Sequence, residues 1–170
     1  MIRAIFLDVD GTLISFSTHE IPASARRALT QAHERGVRLF IATGRAANDL
    51  GPLEGIPYDG VVSLNGARCV ANDGRVVSLH PIPRADFERA LALSEEQDFA
   101  MGLELEEGVF VNRVTPDVER VAHMVAHPVP EQTDLRELFG RVECCQLCFY
   151  FDAETQRRVM AELPTLVASR

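Results

Sequence analysis

The sequence predicts an α/β fold in which a parallel sheet with covering helices is followed by a separate α+β unit. Over residues 3–64, apolar runs alternate with helical patterns, which is typical of parallel strands joined by helices. Beyond residue 65, glycine-containing hairpin turns replace that alternation. The composition, with 46% apolar and 25% charged residues among 170, is that of a folded globular chain.

The first half of the chain supplies the predicted parallel sheet. Apolar runs predict strands at residues 3–7, 37–42 and 60–64, of which residues 5–7, 39–42 and 61–63 are expected to be the most buried. A helix begins at Pro22, which suits a first helical turn, and ends before Gly36, a residue type favoured just after a helix. A second, short helix is predicted to follow Arg45 and to end near Leu50.

Hairpins and helices predict the α+β unit, whose sheet we expect to be mostly antiparallel. A hairpin centred on Asn72-Asp73-Gly74 precedes this unit, and a second hairpin, centred on Glu107-Gly108, lies within it. The remaining elements are helices over residues 84–98, 116–126 and 153–163 and a strand over residues 142–151. Because the pattern changes near Pro83, we predict two domains, residues 1–82 and 83–170.

Charge and hydropathy argue against nucleic acid and membrane partners. The net charge is -8, and the basic residues are not clustered. No apolar run approaches the ~20 residues that a membrane span needs. The apolar start of the chain meets Asp8 and is too short for a secretory signal, so we expect a cytoplasmic protein. All 17 basic residues are arginine, and the chain contains no lysine.

The cysteine spacing admits two interpretations. Cys145 and Cys148 form a C-x-x-C pattern, which can hold zinc or carry redox chemistry, and Cys144 precedes it. The pattern lies in a predicted strand, where residues three apart point to opposite faces. No second ligand pair completes a tetrahedral metal site. We therefore interpret these residues and Cys69 as structural, with a metal or redox role as the alternative.

Two carboxylates, Asp8 and Asp10, stand just past the first predicted strand. Glycine at position 11 allows a turn that brings both carboxyl groups to one pocket and forms an anion-binding nest of N–H groups. Thr43 and Gly44 follow the second strand, where they add a hydroxyl and allow a ligand to approach the backbone closely. Open parallel sheets place their sites at this edge. This set of two carboxylates, a hydroxyl and backbone N–H donors suits phosphoryl transfer to a carboxylate nucleophile, assisted by a divalent cation.

Three segments carry a resemblance to a known family. Residues 8–13, Asp-Val-Asp-Gly-Thr-Leu, resemble the first motif of haloacid dehalogenase-like (HAD) phosphatases. Residues 41–45, Ile-Ala-Thr-Gly-Arg, resemble the second motif of their Cof-type branch, and residues 58–60 followed by 65–67 are similar to the segment before the cap in that branch. The resemblance implies a partial Rossmann-like core with a parallel sheet and an inserted α+β cap domain.

The resemblance also implies an activity and its main residues. The protein would be a Mg²⁺-dependent phosphatase of small phosphorylated metabolites, such as sugar phosphates. Asp8 would be the nucleophile that forms an aspartyl-phosphate. Asp10 would protonate the leaving alcohol and then activate water. The Asp8 carboxylate and the Asp10 carbonyl would bind Mg²⁺.

The same resemblance implies supporting roles for four further residues. Thr43 and the Gly44 N–H would hold the phosphoryl oxygens. Thr12 would brace the turn by hydrogen bonding, and Asn65 would lie near the cleft under the cap.

Two motifs of the family are missing from these 170 residues. The third motif supplies a lysine and the fourth a Gly-Asp followed by another Asp, whereas this chain has no lysine, no Gly-Asp and no Asp-Asp pair. Both motifs follow the cap in Cof-type proteins, so we expect the N-terminal part of a longer phosphatase, inactive alone. The alternatives are a non-catalytic HAD-like protein that binds a phosphorylated ligand or a partner, and a phosphomutase.

The strand at residues 3–7 would become a sheet edge without the later strands of the family. It is apolar and contains no proline, so it lacks the usual protection against pairing with another chain. We therefore expect either self-association through this edge or additional chain that covers it.

Two polar groups in the second half have a structural and a functional interpretation. His123 and His127 are four apart, as in some metal sites, but no third ligand supports them, and a solvated helix face is expected. Glu104, Glu106 and Glu107 surround a hairpin tip, where a solvated edge is the ordinary interpretation and substrate selection the alternative.

Overall fold

The chain divides into two compact units, residues 1–80 and residues 81–170. The computed structural model describes residues 2–15, 17–18, 20–47, 49–125 and 127–163. Each unit has apolar clusters of its own. No helix in the described ranges is long and apolar enough to cross a bilayer.

The first unit is built on one five-stranded sheet. Its elements are β1 (Ala4–Leu7), α1 (Ala23–Glu34), β2 (Arg38–Ala42), β3 (Gly60–Ser63), β4 (Arg68–Ala71) and β5 (Val76–Leu79), with 3₁₀ turns at Gly51–Leu53 and Leu64–Gly66. The strands lie in the order β1-β2-β3-β4-β5. The first three are parallel, and β4 and β5 are antiparallel to their neighbours. The predicted α/β fold with a parallel sheet is confirmed.

The parallel register sets three strand ends side by side. Leu7 pairs with Ile41, and Ala42 pairs with Val62, so β1, β2 and β3 all end at one edge of the sheet. The Thr43 N–H donates to the Val62 carbonyl at 2.9 Å and continues the ladder past the end of β2. Residues that follow these strands are therefore neighbours in space despite their separation along the chain.

The first strand is less buried than its sequence predicts. Ile5 and Leu7 are half-buried, and Phe6 is 63% exposed. Phe6 stacks on Phe40 of β2, with 4.9 Å between the ring centroids. The prediction that residues 5–7 are among the most buried segments is wrong, because strand alternation places Phe6 with Phe40 on the sheet face opposite to that of Ile5 and Leu7, which pack against the core of the first unit.

The short helix predicted between Arg45 and Leu50 is also wrong for the described residues of that segment. Arg45 Nη1 donates to the backbone oxygen of Asp49 at 3.2 Å and to its carboxylate at 3.0 Å. The Asp49 N–H bonds to the Ala46 carbonyl at 3.1 Å in a turn. The Asp49 N–H thus closes an i→i−3 turn instead of the i→i−4 bond of an α-helix.

The second unit is an α+β layer with a four-stranded sheet. Its elements are α2 (Arg84–Glu96), β6 (Ala100–Leu105), β7 (Gly108–Val111), α3 (Pro116–Met124), β8 (Glu131–Gln132), α4 (Leu135–Phe139), β9 (Gln146–Tyr150) and α5 (Ala153–Glu162). The strand order is β8-β7-β6-β9, and the β7–β8 pair is parallel while the other two pairs are antiparallel.

Two elements of this unit, β8 and α4, are not predicted from the sequence. They have two and five residues, too few for a periodic apolar pattern. The available signal is Asp134, an N-cap residue type. Its carboxylate accepts the N–H groups of Arg136 and Glu137 at 2.9 and 3.1 Å.

Helices α2, α4 and α5 share one apolar cluster with strand β6. Phe87 of α2 and Phe139 of α4 stack with 4.0 Å between ring centroids. Leu103 of β6 and Val159 of α5 are fully buried in the same cluster. This cluster joins the helices of the second unit to its sheet.

A largely buried polar link joins α2 to the sheet. The Asn112 amide accepts the Met101 N–H at 2.9 Å and donates to Ser94 Oγ at 2.8 Å. Arg113 Nη2 donates to the carbonyls of Ser94 and Phe99 at 2.9 and 2.8 Å. Since Ser94 is fully buried, these bonds take the place of water at the end of the helix.

Replacing Asn112 by leucine should lower the free energy of unfolding by about 2–4 kcal/mol, because the Met101 N–H and the Ser94 hydroxyl both lose their partner. Urea denaturation measures the change. Asn72→Ala, in the exposed β4–β5 turn, is the control and should cost less than about 0.5 kcal/mol. Equal stability of Asn112→Leu and the unaltered chain would contradict the role given to the Asn112 amide.

Candidate active site

The turn after β1 carries both candidate carboxylates. Strand alternation places Val9 in the core, 1% exposed, and leaves Asp8 and Asp10 exposed. The Val9 carbonyl accepts the Ile14 N–H at 2.8 Å, and Gly11 has a φ of 75°, a left-handed value that glycine adopts without strain. The tight turn therefore presents two carboxylates to solvent at the carboxyl edge of the sheet.

Thr12 contacts the first of these carboxylates. Its Oγ1 donates to Asp8 Oδ2 at 2.9 Å. The bond ties the turn to the Asp8 side chain and orients that carboxylate.

The loop after β2 lies at the same edge. Thr43 is buried, with 6% exposed, and its Oγ1 accepts the Arg45 N–H at 3.1 Å. The hydroxyl proton can then be donated to a ligand oxygen. Gly44 is exposed beside it. The register of β1 and β2 sets this loop next to the Asp8 turn.

Asn65 reaches the same loop from the third strand. It lies in the turn after β3, and its N–H donates to the Thr43 carbonyl at 3.2 Å. Its side-chain oxygen is 3.1 Å from the point where a Cβ on Gly44 would stand. The structure thus brings Asn65 to the loop that contains Thr43 and Gly44.

Arg45 is a further residue of the site, and its role is not predicted from the sequence. Its Nε and Nη2 donate to the two carboxylate oxygens of Asp10 at 2.9 and 2.8 Å, as a bidentate pair. Its Nη1 contacts the Asp49 carboxylate at 3.0 Å. The Thr-Gly-Arg motif contains this arginine, but its bond to Asp10 spans 35 positions and depends on the sheet register.

The ion pair with Arg45 lowers the pKa of Asp10. Hydrogen bonding to the guanidinium is the main cause, and partial desolvation opposes it. The same hydrogen bonds raise the pKa of Arg45. A carboxyl with a lowered pKa contributes stability above its unfolded pKa, near 3.8, and that contribution is lost as the pH falls through the folded pKa.

The oxygen donors of the β1 turn suit a magnesium ion. A carboxylate oxygen of Asp8 and the Asp10 carbonyl are hard ligands of the type that Mg²⁺ prefers. The described part of the chain contains no group of three or more His, Cys, Asp or Glu able to hold a metal. Because Mg²⁺ takes about six oxygens, other atoms have to complete the shell. The donor chemistry of this turn therefore fits Mg²⁺.

Comparison with known proteins agrees with this geometry. A family described as haloacid dehalogenase-like hydrolase matches residues 5–170. The chain belongs to the haloacid dehalogenase-like hydrolases. The family predicted from the motifs at residues 8–13 and 41–45 is confirmed.

Solved structures of HAD phosphatases are similar to this HAD chain over nearly all of its length. BT1666 from Bacteroides thetaiotaomicron, described among the phosphatases of the HAD superfamily, is 54% identical with a TM-score of 0.96 and covers 100% of this chain. BT4131, described as a HAD subclass IIB sugar phosphatase, is 28% identical with a TM-score of 0.82 and covers 96% of this chain. These similarities support the predicted Cof-type branch.

The relatives are longer than this HAD chain. It spans 63% of BT1666 and 64% of BT4131. YkrA of Bacillus subtilis (strain 168), provisionally named a phosphatase, is 30% identical over 95 residues, which are 55% of this chain and 36% of YkrA.

The cysteines of the HAD chain have the properties of structural residues. None of the four is part of a disulfide bond. Burial raises the pKa of Cys144 to about 11 and the pKa of Cys148 well above its ordinary value. Protonated thiols are weak nucleophiles and weak metal ligands. The raised pKa of Cys148 favours the structural interpretation of this residue over a metal or redox role.

Glu104 is not a solvated hairpin residue, although Glu107 is exposed. The half-buried Glu104 carboxylate accepts hydrogen bonds from the Gln146 side-chain amide and from Cys148 Sγ across the β6–β9 pair, the latter at 3.6 Å. The solvated-edge interpretation fails for Glu104, because β9 covers the side chain.

The two histidines noted in the sequence are both exposed. Helix α3 ends at Met124, so His127 lies beyond the helix and does not share a helical face with His123.

Replacing Arg45 by glutamine should raise the pKa of Asp10 toward 3.8, because the charged bidentate partner is lost. The Asp10 carboxyl resonance in a carbon-13 NMR titration measures this pKa. Arg38→Gln, an exposed arginine at the start of β2, is the matched control and should leave the Asp10 resonance unchanged. The acid-induced loss of stability should also be smaller in Arg45→Gln than in the control. An unshifted Asp10 titration in Arg45→Gln would mean that the ion pair is not formed.

Proposed function

We propose that the protein acts as a Mg²⁺-dependent phosphatase of small phosphorylated metabolites, such as sugar phosphates, through an aspartyl-phosphate. The main support for this proposal is the position of Asp8 and Asp10. Both are exposed on one tight turn, which lies beside the Thr43–Gly44 loop that follows the neighbouring parallel strand. The similarity to BT4131, described as a sugar phosphatase, supports the substrate class.

In the first step, the Asp8 carboxylate attacks phosphorus. A bond forms from the carboxylate oxygen to phosphorus while the bond from phosphorus to the leaving oxygen breaks. Asp10 donates its proton to that oxygen, which leaves as an alcohol. Since the ion pair with Arg45 favours ionised Asp10, that pair has to open before Asp10 can act as an acid.

In the second step, water attacks the phosphorus of the aspartyl-phosphate. Asp10 accepts the proton of the attacking water, the bond between phosphorus and Asp8 breaks, and inorganic phosphate leaves. This step needs ionised Asp10, the form that Arg45 stabilises. In both steps the Thr43 hydroxyl and the Gly44 N–H bind phosphoryl oxygens, as preorganised donors in a fixed loop.

Charge at the site explains why a cation is part of the proposal. Asp8, Asp10 and Asp49 carry more negative charge than the Arg45 guanidinium offsets. A phosphate monoester adds further negative charge. Mg²⁺ held by the Asp8 carboxylate and the Asp10 carbonyl would supply the positive charge that stabilises the transferring group.

The domain roles and the location belong to the same proposal. Residues 1–82 would carry the chemistry, and residues 83–170 would form the cap that selects the substrate. Four cysteines outside disulfide bonds suit the reducing cytoplasm.

A second candidate is a non-catalytic protein that binds a phosphorylated ligand. The Asp10–Arg45 ion pair favours it, because an ionised Asp10 cannot protonate a leaving group while that pair stays closed. Enzyme assays distinguish the two candidates.

A longer form that carries the lysine and Gly-Asp motifs should hydrolyse p-nitrophenyl phosphate with Mg²⁺, and Asp8→Asn should abolish the reaction because a carboxamide cannot replace the nucleophile. The 170-residue chain should be slower by at least about 10²–10³, the effect of losing one preorganised electrostatic donor.

Asp73→Asn, at an exposed turn, is the matched control and should keep the rate of the unaltered protein. If Asp8→Asn still hydrolyses the substrate, or if EDTA does not reduce the rate, the result argues against the mechanism. A longer form that binds phosphate without turnover favours the non-catalytic candidate.

We also propose that the 170-residue chain associates with itself through β1. As an edge strand of the described sheet, β1 offers backbone N–H and C=O groups to another strand. Phe6 of β1 is 63% exposed, and Ile2 just before it is 70% exposed. Pairing of β1 with a second copy would bury both the backbone groups and these side chains.

Light scattering after size-exclusion chromatography should show a mass that increases with protein concentration. Phe6→Lys should shift the population to monomer, since a charge on an edge strand opposes pairing. Val77→Lys is the matched control, because Val77 is 60% exposed on β5, the opposite edge strand, and should leave the association intact. A monomer at all concentrations, or equal effects of the two variants, would count against association through β1.

A further inference from the structure

Three consecutive residues after β3 adopt a left-handed backbone. Leu64, Asn65 and Gly66 have φ values of 50°, 54° and 95°. Glycine adopts such values freely and asparagine quite often, but leucine does so rarely. Leu64 is held by burial, with 6% of the residue exposed. Backbone strain of this kind persists where the surrounding structure over-determines it, which is common at functional sites.

This left-handed turn is bonded to the loop after β2. The Asn65 N–H donates to the Thr43 carbonyl at 3.2 Å, and the Leu64 N–H donates to the Arg45 carbonyl at 3.1 Å. The two bonds bracket Gly44. The turn after β3 therefore holds the loop just before and just after Gly44. The N–H of Gly44 is the group proposed to bind a phosphoryl oxygen.

The Asn65 side chain covers Gly44. The three heavy atoms nearest to an ideal Cβ on Gly44 all belong to Asn65: Oδ1 at 3.1 Å, Nδ2 at 3.4 Å and Cγ at 3.6 Å. The φ of Gly44 is not in the left-handed region, so its backbone would accept an alanine. Asn65, rather than backbone strain, is the obstacle to a side chain at position 44.

We propose that Asn65 is a positioning residue of the phosphoryl-binding loop, and that Gly44 and Asn65 form a matched pair. The turn holds the carbonyls of Thr43 and Arg45, and the Asn65 amide packs where a Gly44 side chain would stand. The Gly44 N–H therefore keeps one direction, as a donor must if it is to bind charge without reorganisation. The inference rests on the proposed function, which assigns phosphoryl oxygens to Thr43 and Gly44.

Asn65→Gly tests the role of the amide, because glycine keeps the positive φ and removes the side chain. The amide resonance of Gly44 in the 170-residue chain is followed by NMR as inorganic phosphate is added with Mg²⁺. We expect the phosphate Kd to rise about tenfold, the size of one strong hydrogen bond, because the Gly44 N–H is no longer held toward the phosphate. The thermal midpoint should change little, a combination that a merely structural role would not give.

Gly44→Ala tests the pair. It should weaken phosphate binding and lower stability when Asn65 is present, and both losses should shrink in Gly44→Ala/Asn65→Gly, where the added methyl no longer meets an amide. Gly51→Ala is the matched control, since a Cβ there meets nothing within 4 Å. Its effect on unfolding should add to that of Asn65→Gly, whereas the effect of Gly44→Ala should not.

Additive effects of Gly44→Ala and Asn65→Gly on unfolding, or an unchanged phosphate Kd in Asn65→Gly, overturn the proposal while the proposed function stands. If the Gly44 resonance of the unaltered chain ignores phosphate, the proposed function fails for this chain. The unfolding free energies of Gly44→Ala, Asn65→Gly and the double variant then test whether the two residues form a matched pair. Non-additive effects support the pair, and additive effects overturn it.

Discussion

The parallel hydrogen-bonded ladder of β1, β2 and β3 is the constraint on which the candidate site depends. Each strand ends at the same sheet edge, and each is followed by one part of the site: the turn with Asp8, the loop with Thr43, and the left-handed turn with Asn65. A one-residue slip of β2 would turn the buried Ile41 toward the opposite face. The same slip would remove the Thr43 N–H from the Val62 carbonyl. The ladder brings the three parts to one edge, and the bonds of their turns fix each part there.

Opposing demands on Asp10 follow from that arrangement. The sheet register brings Arg45 to Asp10, and the bidentate pair stabilises the ionised carboxylate. An ionised Asp10 suits the activation of water, whereas protonation of a leaving group needs the opposite state. Proton transfer in the proposed reaction is therefore coupled to the opening and closing of one ion pair. Asp49 holds Arg45 from its other side, so the guanidinium can stay in place while Asp10 moves.

The exclusive use of arginine shapes both units. Arg45 uses three nitrogens on two carboxylates, and Arg113 uses two nitrogens on a carboxylate and two carbonyls. The planar fork of arginine makes such multiple contacts in fixed geometry, which a lysine ammonium does less well. Arg113 and the neighbouring Asn112 amide thereby hold the end of α2 against β6 in the second unit. Arginine in this chain serves structure as much as surface charge.

Sequence patterns predicted the features that depend on neighbouring residues. The strand–helix alternation, the Asn72-Asp73-Gly74 turn and the two motifs at residues 8–13 and 41–45 all arise from local periodicity or turn chemistry, and they sufficed for the fold class and the family. The exposure of Phe6 was not predictable in this way, because burial depends on which face of the sheet is covered by distant parts of the chain. The same holds for the bond between Arg45 and Asp10 and for the covering of Glu104 by β9. Such contacts join residues distant in sequence, and they form only when the backbone ladder brings their strands into register.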